Sequence, residues 1–351
     1  MQLQTALNRI VASEHRHPDV HEIALGVMEG ERFIHACRGE WQGGSVGPET
    51  PFLIASASKL FITAMVFQLA DEGRLTLDDP VQRFFPGELD RLHVWKGADV
   101  TGQITLRQLL CHTSGLPDYF EGRRRDGASL GADLFAGRDG AYGLAEVLGW
   151  ARDGMRPAFA PGTGMQALYS DTNFYLLAEL VARLDGDGLD AALARRITGP
   201  LGLTRTAFFK PGAEVLPLRL GGRVIEAPQA LASMPGDGGA VSCLADLARF
   251  TRAFFAGELF EKGRLADLPP WRRVFFPLTA GTGVLRFAVP PWLPPFRPGM
   301  AFVGHSGISG TIAFALPDHK RIIVGTVNQL QDRSRPYRMM MKAALAWSRI
   351  G

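Results

Sequence analysis

The chain has 351 residues, enough for one large domain or two smaller ones with an ample core. Its composition, 46% hydrophobic and 21% charged, is that of an ordinary globular protein and excludes wholesale disorder. A formal net charge of +3 is small for this length and makes no case for nucleic acid or an anionic membrane as a partner. Cys37, Cys111 and Cys243 are odd in number and widely spaced, which fits reduced thiols better than a disulfide framework or a metal knuckle.

The chain opens with Met1–Val11, which reads as an amphipathic helix and not as a signal peptide. No run of 18 apolar residues occurs, so no span is predicted and the expected location is the cytoplasm. His15, His17 and His21 are interrupted by Pro18 and read as a solvated loop; no metal or cofactor site is predicted. Residues 22–29 and 32–39, separated by Gly30-Glu31, predict a β-hairpin.

Ser56 and Lys59 follow, three residues apart and on one face if Ser56 opens a helix. The run Leu60–Ala70 is apolar enough to be buried, and Gly73 reads as its C-terminal cap. Only six of the 38 basic residues are lysines, so Lys59 is no accident of a lysine-rich surface. Burial should lower its pKa and make it a base, while the helix N-terminus favours negative charge developing beside Ser56.

Further along, Arg123-Arg124-Arg125 reads as a solvated loop, and His112 as a hydrogen-bonded structural histidine at a helix end. Tyr169-Ser170-Asp171 lies at a loop–helix junction, where a phenol beside a lysine can act as a general base. Gly162-x-Gly164 and Gly236-x-Gly238 lack the third glycine of a nucleotide loop. Pro290–Pro298 is a proline-rich loop, read as the rim of an apolar acyl pocket. Gly304–Gly310 approaches a second hairpin, residues 310–316 and 321–328, where glycines let a substrate backbone come close to His305 and Ser306. A final helix is expected from about Pro336 to Ser348.

Taken together, Ser56-Ala57-Ser58-Lys59, Tyr169-Ser170-Asp171 and His305-Ser306-Gly307 resemble, in order and spacing, the three catalytic elements of the class C β-lactamase-related serine hydrolases. That group includes β-lactamases, DD-carboxypeptidases, family VIII carboxylesterases and D-amino-acid peptidases. Stretches 109–118, 200–206 and 238–250 agree, and the resemblance covers roughly residues 20–330. It implies an α+β, β-lactamase/transpeptidase-like fold, with an antiparallel sheet flanked by helices and an inserted helical domain. The expected partition is residues 1–78 plus 278–351 for the sheet domain and 79–277 for the insertion, the active site lying between them.

By the same resemblance Ser56 forms an acyl-enzyme, Lys59 and Tyr169 move its proton, and the Ser56 and Ile308 N–H groups form the oxyanion hole. His305, Ser306, Gly307 and Ile308 line the substrate side. Asp171 replaces an asparagine whose amide donates to substrate, and a carboxylate only accepts. It pairs with Lys59, caps its helix or binds an amine; the first two readings are preferred. His305 replaces a lysine and removes a cation that would attract a substrate carboxylate.

The implied function is hydrolysis of a small ester or amide, a carboxylesterase first. The alternatives are a D-amino-acid or peptide hydrolase, a β-lactamase, an acyltransferase or a non-catalytic binder. The expected partner is a small ester, amide or short peptide, with no nucleic acid, membrane, metal or cofactor.

Overall fold

Both ends of the chain meet in one antiparallel sheet. A computed structural model describes residues 2–289 and 300–349; the loop 290–298 singled out above lies outside the described residues. In spatial order the eight strands are Arg272–Phe275, Leu278–Ala280, Leu285–Ala288, Ala301–Gly307, Thr311–Ala315, Arg321–Thr326, Ile23–Glu29 and Arg32–Arg38.

Strand alternation divides the apolar side chains between two cores. Ile23, Leu25, Val27 and Ile323 face the terminal helices Gln2–His15 and Arg335–Ser348, packing with Leu7, Val11, Met339 and Met340. Ala24, Met28, Ile322 and Val324 face the other way, toward the helices Lys59–Asp71 and Leu244–Ala256. Both faces are covered, which is why these strands read as nearly continuous apolar runs.

The two predicted hairpins and both terminal helices are present. The first hairpin pairs Glu29 with Arg32 around Gly30, whose φ of +56° suits the tight turn. The N-terminal helix continues to His15, four residues beyond the expected end. Before the second hairpin, Ala301–Gly307 is itself a strand, paired with Thr311–Ala315, and only Ile308–Gly310 turn. Its glycines serve close approach: a Cβ at Gly304 would lie 2.0 Å from the Ala313 carbonyl oxygen.

The helix Lys59–Asp71 is buried on nearly every side, with Leu60, Phe61, Ile62, Val66 and Phe67 fully enclosed. It ends as predicted at Gly73, where φ is +69° and the Arg74 N–H donates back to the Leu69 carbonyl at 3.0 Å. A small sheet of Phe52–Leu53, Ala240–Ser242 and Ala207–Phe208 ties the chain just before this helix to residues near 240. Cys37, Cys111 and Cys243 are free thiols. No helix among the described residues is long and apolar enough to cross a membrane.

Candidate active site

Ser56 sits on a forced bend. Ala55 takes a left-handed φ of +46°, a conformation costing about 1–3 kcal/mol for a residue with a side chain. The bend throws the chain from the strand Phe52–Leu53 into one 3₁₀ turn, Ala55–Ser58, which runs directly into the helix Lys59–Asp71. Buried Ser58 locks the turn, donating to the Ala55 carbonyl at 2.5 Å and accepting from the Ala240 N–H at 3.1 Å. Ser56 is left partly exposed while Lys59 is wholly buried.

Lys59 organises the centre. Its ammonium donates to Ser56 Oγ at 3.1 Å and to the Asp237 backbone carbonyl, and pairs with Asp171 Oδ1 at 2.6 Å. Burial alone would lower its pKa, as the sequence reading anticipated. The Asp171 carboxylate, with smaller contributions from Tyr169 and Asp237, reverses that sign and raises it. Lys59 is therefore a cation at rest. Burial in turn raises the Asp171 pKa, an effect the Lys59 ammonium opposes.

The Lys59 ammonium lies 5.2 Å from the Tyr169 ring centre, and the Ser56 and Lys59 side chains are near enough to act on the phenol. Burial raises the Tyr169 pKa more than the cation lowers it. The expectation of a ready phenolate is thus corrected: the resting group is a neutral phenol.

A scaffold of short polar contacts fixes Tyr169-Ser170-Asp171. The Ser170 and Thr172 hydroxyls both donate to the Pro117 carbonyl, at 2.9 and 2.6 Å. Asp118 accepts from the Asp171 N–H at 3.1 Å. His112 accepts from the Ser170 N–H at 3.1 Å and stacks on Tyr169 with ring centres 4.5 Å apart. The structural reading of His112 holds, and the stack gives it the added task of orienting the phenol.

Across the cleft, His305 is buried with its ring centre 6.2 Å from that of Tyr169. Burial and the Lys59 charge push its pKa down to about 3, so it stays a neutral imidazole through the physiological range. Its Nδ1 engages the backbone of Ser306. Ser306 itself lies on the opposite face of the strand, with its hydroxyl bonded to that of Tyr337 on the C-terminal helix. The strand places the Ser306 side chain away from the other predicted site residues.

Gly307 and Ile308 return to the centre. A Cβ on Gly307 would lie 2.1 Å from the Ile54 carbonyl oxygen and 2.9 Å from the Ala55 Cβ. Only glycine lets this strand end lie against the turn that carries Ser56. Gly307→Ala should push the two apart, lowering kcat about 100-fold and stability by about 1–3 kcal/mol. Matched kcat and Tm values would show that the close approach is dispensable.

Two depressions flank the centre. A narrow recess of about 40 Å³ is lined by Ser56, Asp171, Asp237 and Ile308 together with apolar residues including Phe120 and Met234. On the Tyr169 side lies an open cleft of about 880 Å³, lined by Arg123, Arg124, Arg125, Arg156 and Phe275. The arginine run that read as a solvated loop therefore forms a wall of this cleft. The sequence gives Asp237 no role, since Gly236-x-Gly238 reads only as a nucleotide loop without its third glycine.

The Beta-lactamase family model matches residues 7–345. The chain belongs to the Beta-lactamase family. It is 27% identical over 248 residues to the D-alanyl-D-alanine-carboxypeptidase/endopeptidase AmpH of Escherichia coli, a match covering 70% of this chain and 60% of that protein. The D-amino acid amidase of Ochrobactrum anthropi SV3 superposes with a TM-score of 0.78 at 21% identity, covering 99% of this chain and 98% of that one. EstCE1, a hydrolase with promiscuous acyltransferase activity, superposes at 0.76 with 19% identity, covering 97% and 98%. At these identities the structural likeness speaks to the fold.

Proposed function

We propose that the protein is a serine hydrolase that cleaves small carboxylic esters, and activated amides more slowly, through an acyl-Ser56 intermediate. One observation carries the reading: Ser56 Oγ lies 3.1 Å from the Lys59 amine, which in turn lies 5.2 Å from the Tyr169 ring centre. This is a nucleophile within reach of two proton carriers.

The Lys59–Asp171 pair holds the proton inventory. Moving one proton across their 2.6 Å contact converts the ion pair into a neutral amine and a neutral acid. A substrate that seals the site removes water from the charged form and narrows the gap between the two. The neutral amine then takes the Ser56 proton as its oxygen bonds to the substrate carbonyl carbon. Tyr169 passes its proton to the departing alcohol or amine and takes back the one that Lys59 has just received from Ser56. Charge developing on the carbonyl oxygen falls to the N–H groups of Ser56 and Ile308; the latter makes no turn or loop hydrogen bond among the described residues. Water repeats the sequence in reverse to free the acid.

Ester cleavage is preferred because Asp171 offers no amide N–H to a substrate's acylamino carbonyl and is engaged by Lys59. The narrow recess favours short acyl groups. Asp171→Asn tests the proton inventory. Without that carboxylate, burial lowers the Lys59 pKa, so the neutral amine persists to lower pH. The rising limb of kcat/KM should move down by about one pH unit or more. An unmoved limb would mean that Asp171 does not set the protonation of Lys59.

A further inference from the structure

The open cleft on the Tyr169 side carries charges that the chemistry at Ser56 does not use. Four arginines line it, Arg123, Arg124, Arg125 and Arg156. Arg124 is committed, with Asp126 at 3.7 Å, Asp133 at 3.8 Å and its guanidinium 5.4 Å from the Trp150 ring centre. The exposed side chains of Arg123, Arg125 and Arg156 form no ion pair or hydrogen bond among the described residues. The carboxylates of the same lining are engaged by other groups. Glu121 pairs with Arg333 at 2.7 Å, and buried Asp118 accepts from the N–H groups of Phe120, Glu121 and Asp171. Three cations are left uncompensated.

The backbone is held where these side chains stand. A Cβ at Gly122 would lie 2.2 Å from the Asp118 carbonyl oxygen. The Arg125 N–H donates to the Gly154 carbonyl at 2.8 Å, which sets segments 122–125 and 154–156 side by side. The free guanidiniums are therefore supplied by both segments. Tyr169 and Phe275 add an apolar portion to the same lining, with their ring centres 5.9 Å apart.

Charge places an anion in this cleft and not beside the carbonyl. At the centre Lys59 and Asp171 compensate each other at 2.6 Å, and His305 is neutral. Three guanidiniums also exceed what one planar, singly charged carboxylate can satisfy. A phosphate monoester offers three oxygens and nearly two charges, and suits forked N–H donors. A cation would be repelled, and a neutral leaving group would leave the arginines to water.

We infer that the cleft receives a phosphate group borne on the leaving alcohol, a short carbon chain away from the scissile bond, so that the preferred substrates are small acyl esters of phosphorylated alcohols. This rests on the reading of Ser56 as the acylated nucleophile and adds to it the class of leaving group. The Ser56–acyl bond forms as the ester C–O bond breaks. The departing oxygen takes the Tyr169 proton while its phosphate stays among Arg123, Arg125 and Arg156.

The test compares three acetate esters with the same three-carbon chain on the full-length protein: 3-acetoxypropyl phosphate, 4-acetoxybutanoate and propyl acetate. Wild-type kcat/KM should be about tenfold or more higher for the phosphate ester than for propyl acetate, with the carboxylate between them. The preference should shrink as salt is raised, because the arginines are exposed. The double variant Arg125→Ala/Arg156→Ala should lose most of it. Circular dichroism checks its folding; if the variant does not fold, the salt dependence of the wild type decides. Equal rates for the phosphate ester and propyl acetate, a carboxylate that matches the phosphate, or a preference insensitive to salt or to the double variant overturns the inference. Ser56-dependent cleavage of p-nitrophenyl acetate in the same preparation would then leave the hydrolase reading standing. Loss of that dependence would remove both.

Discussion

Replacing Ser56 by alanine is expected to lower kcat for a short-chain p-nitrophenyl ester by about 10⁴-fold or more. The change deletes the atom that bonds to the substrate carbonyl, and neither Lys59 nor Tyr169 can take its place. Both would remain beside the recess as proton carriers without a nucleophile. The fold should survive, because Ser56 is partly exposed and, among the described residues, its hydroxyl bonds to Lys59. Tm should therefore stay near the wild-type value, separating chemical loss from unfolding. Comparable turnover by Ser56→Ala would contradict a mechanism through this residue.

The second large effect belongs to Lys59. Lys59→Met retains most of the side-chain volume and removes the charge, so activity should fall about 10³-fold or more. Stability should fall as well. Asp171 would then be a buried carboxyl without its cation, a loss of about 3–5 kcal/mol in comparable sites. The sign of the pH dependence follows from burial. Unopposed, it raises the Asp171 pKa in the folded state above its unfolded value. Such a carboxyl penalises folding increasingly as pH rises past the unfolded pKa, so the Tm deficit should be larger at pH 8 than at pH 5. Adding Asp171→Asn should recover part of the lost Tm without restoring activity. A deficit independent of pH would mean that Asp171 is not left charged and uncompensated by the first change.

The candidate site residues were legible because each lies in a short local element. Ser56 and Lys59 are three residues apart at a helix start, and Tyr169 lies just before the helix Asp171–Asp185. The two terminal hairpins were legible for a similar reason, since runs of apolar residues bounded by Gly30-Glu31 and by residues 317–320 have few other uses. The strand Ala301–Gly307 was harder. Its Gly304 and Gly307 look like loop formers, and their real role depends on the Ala313 carbonyl and on the nucleophile turn, neither of which is local.

Electrostatic signs were the least legible. Burial of Lys59 was readable from the apolar run behind it, but its pKa direction depends on Asp171, 112 residues away. Pairing with Asp171 stood among several open alternatives. Asp237 left no sequence signal at all. It meets the Lys59 ammonium across 178 residues, in a glycine-rich stretch whose composition says only that the chain turns. The arginines at 123–125 show the same limit: their charge was plain, their place on the wall of the cleft was not.

Trapping the intermediate tests the central claim most directly. The wild-type protein would be mixed with a p-nitrophenyl ester of a short acid, quenched during turnover, and examined by intact-mass measurement followed by peptide mapping. A mass increase equal to the acyl group, confined to the peptide carrying Ser56 and absent from Ser56→Ala, is the predicted result. Turnover with no adduct, or with the adduct on another residue, would contradict it.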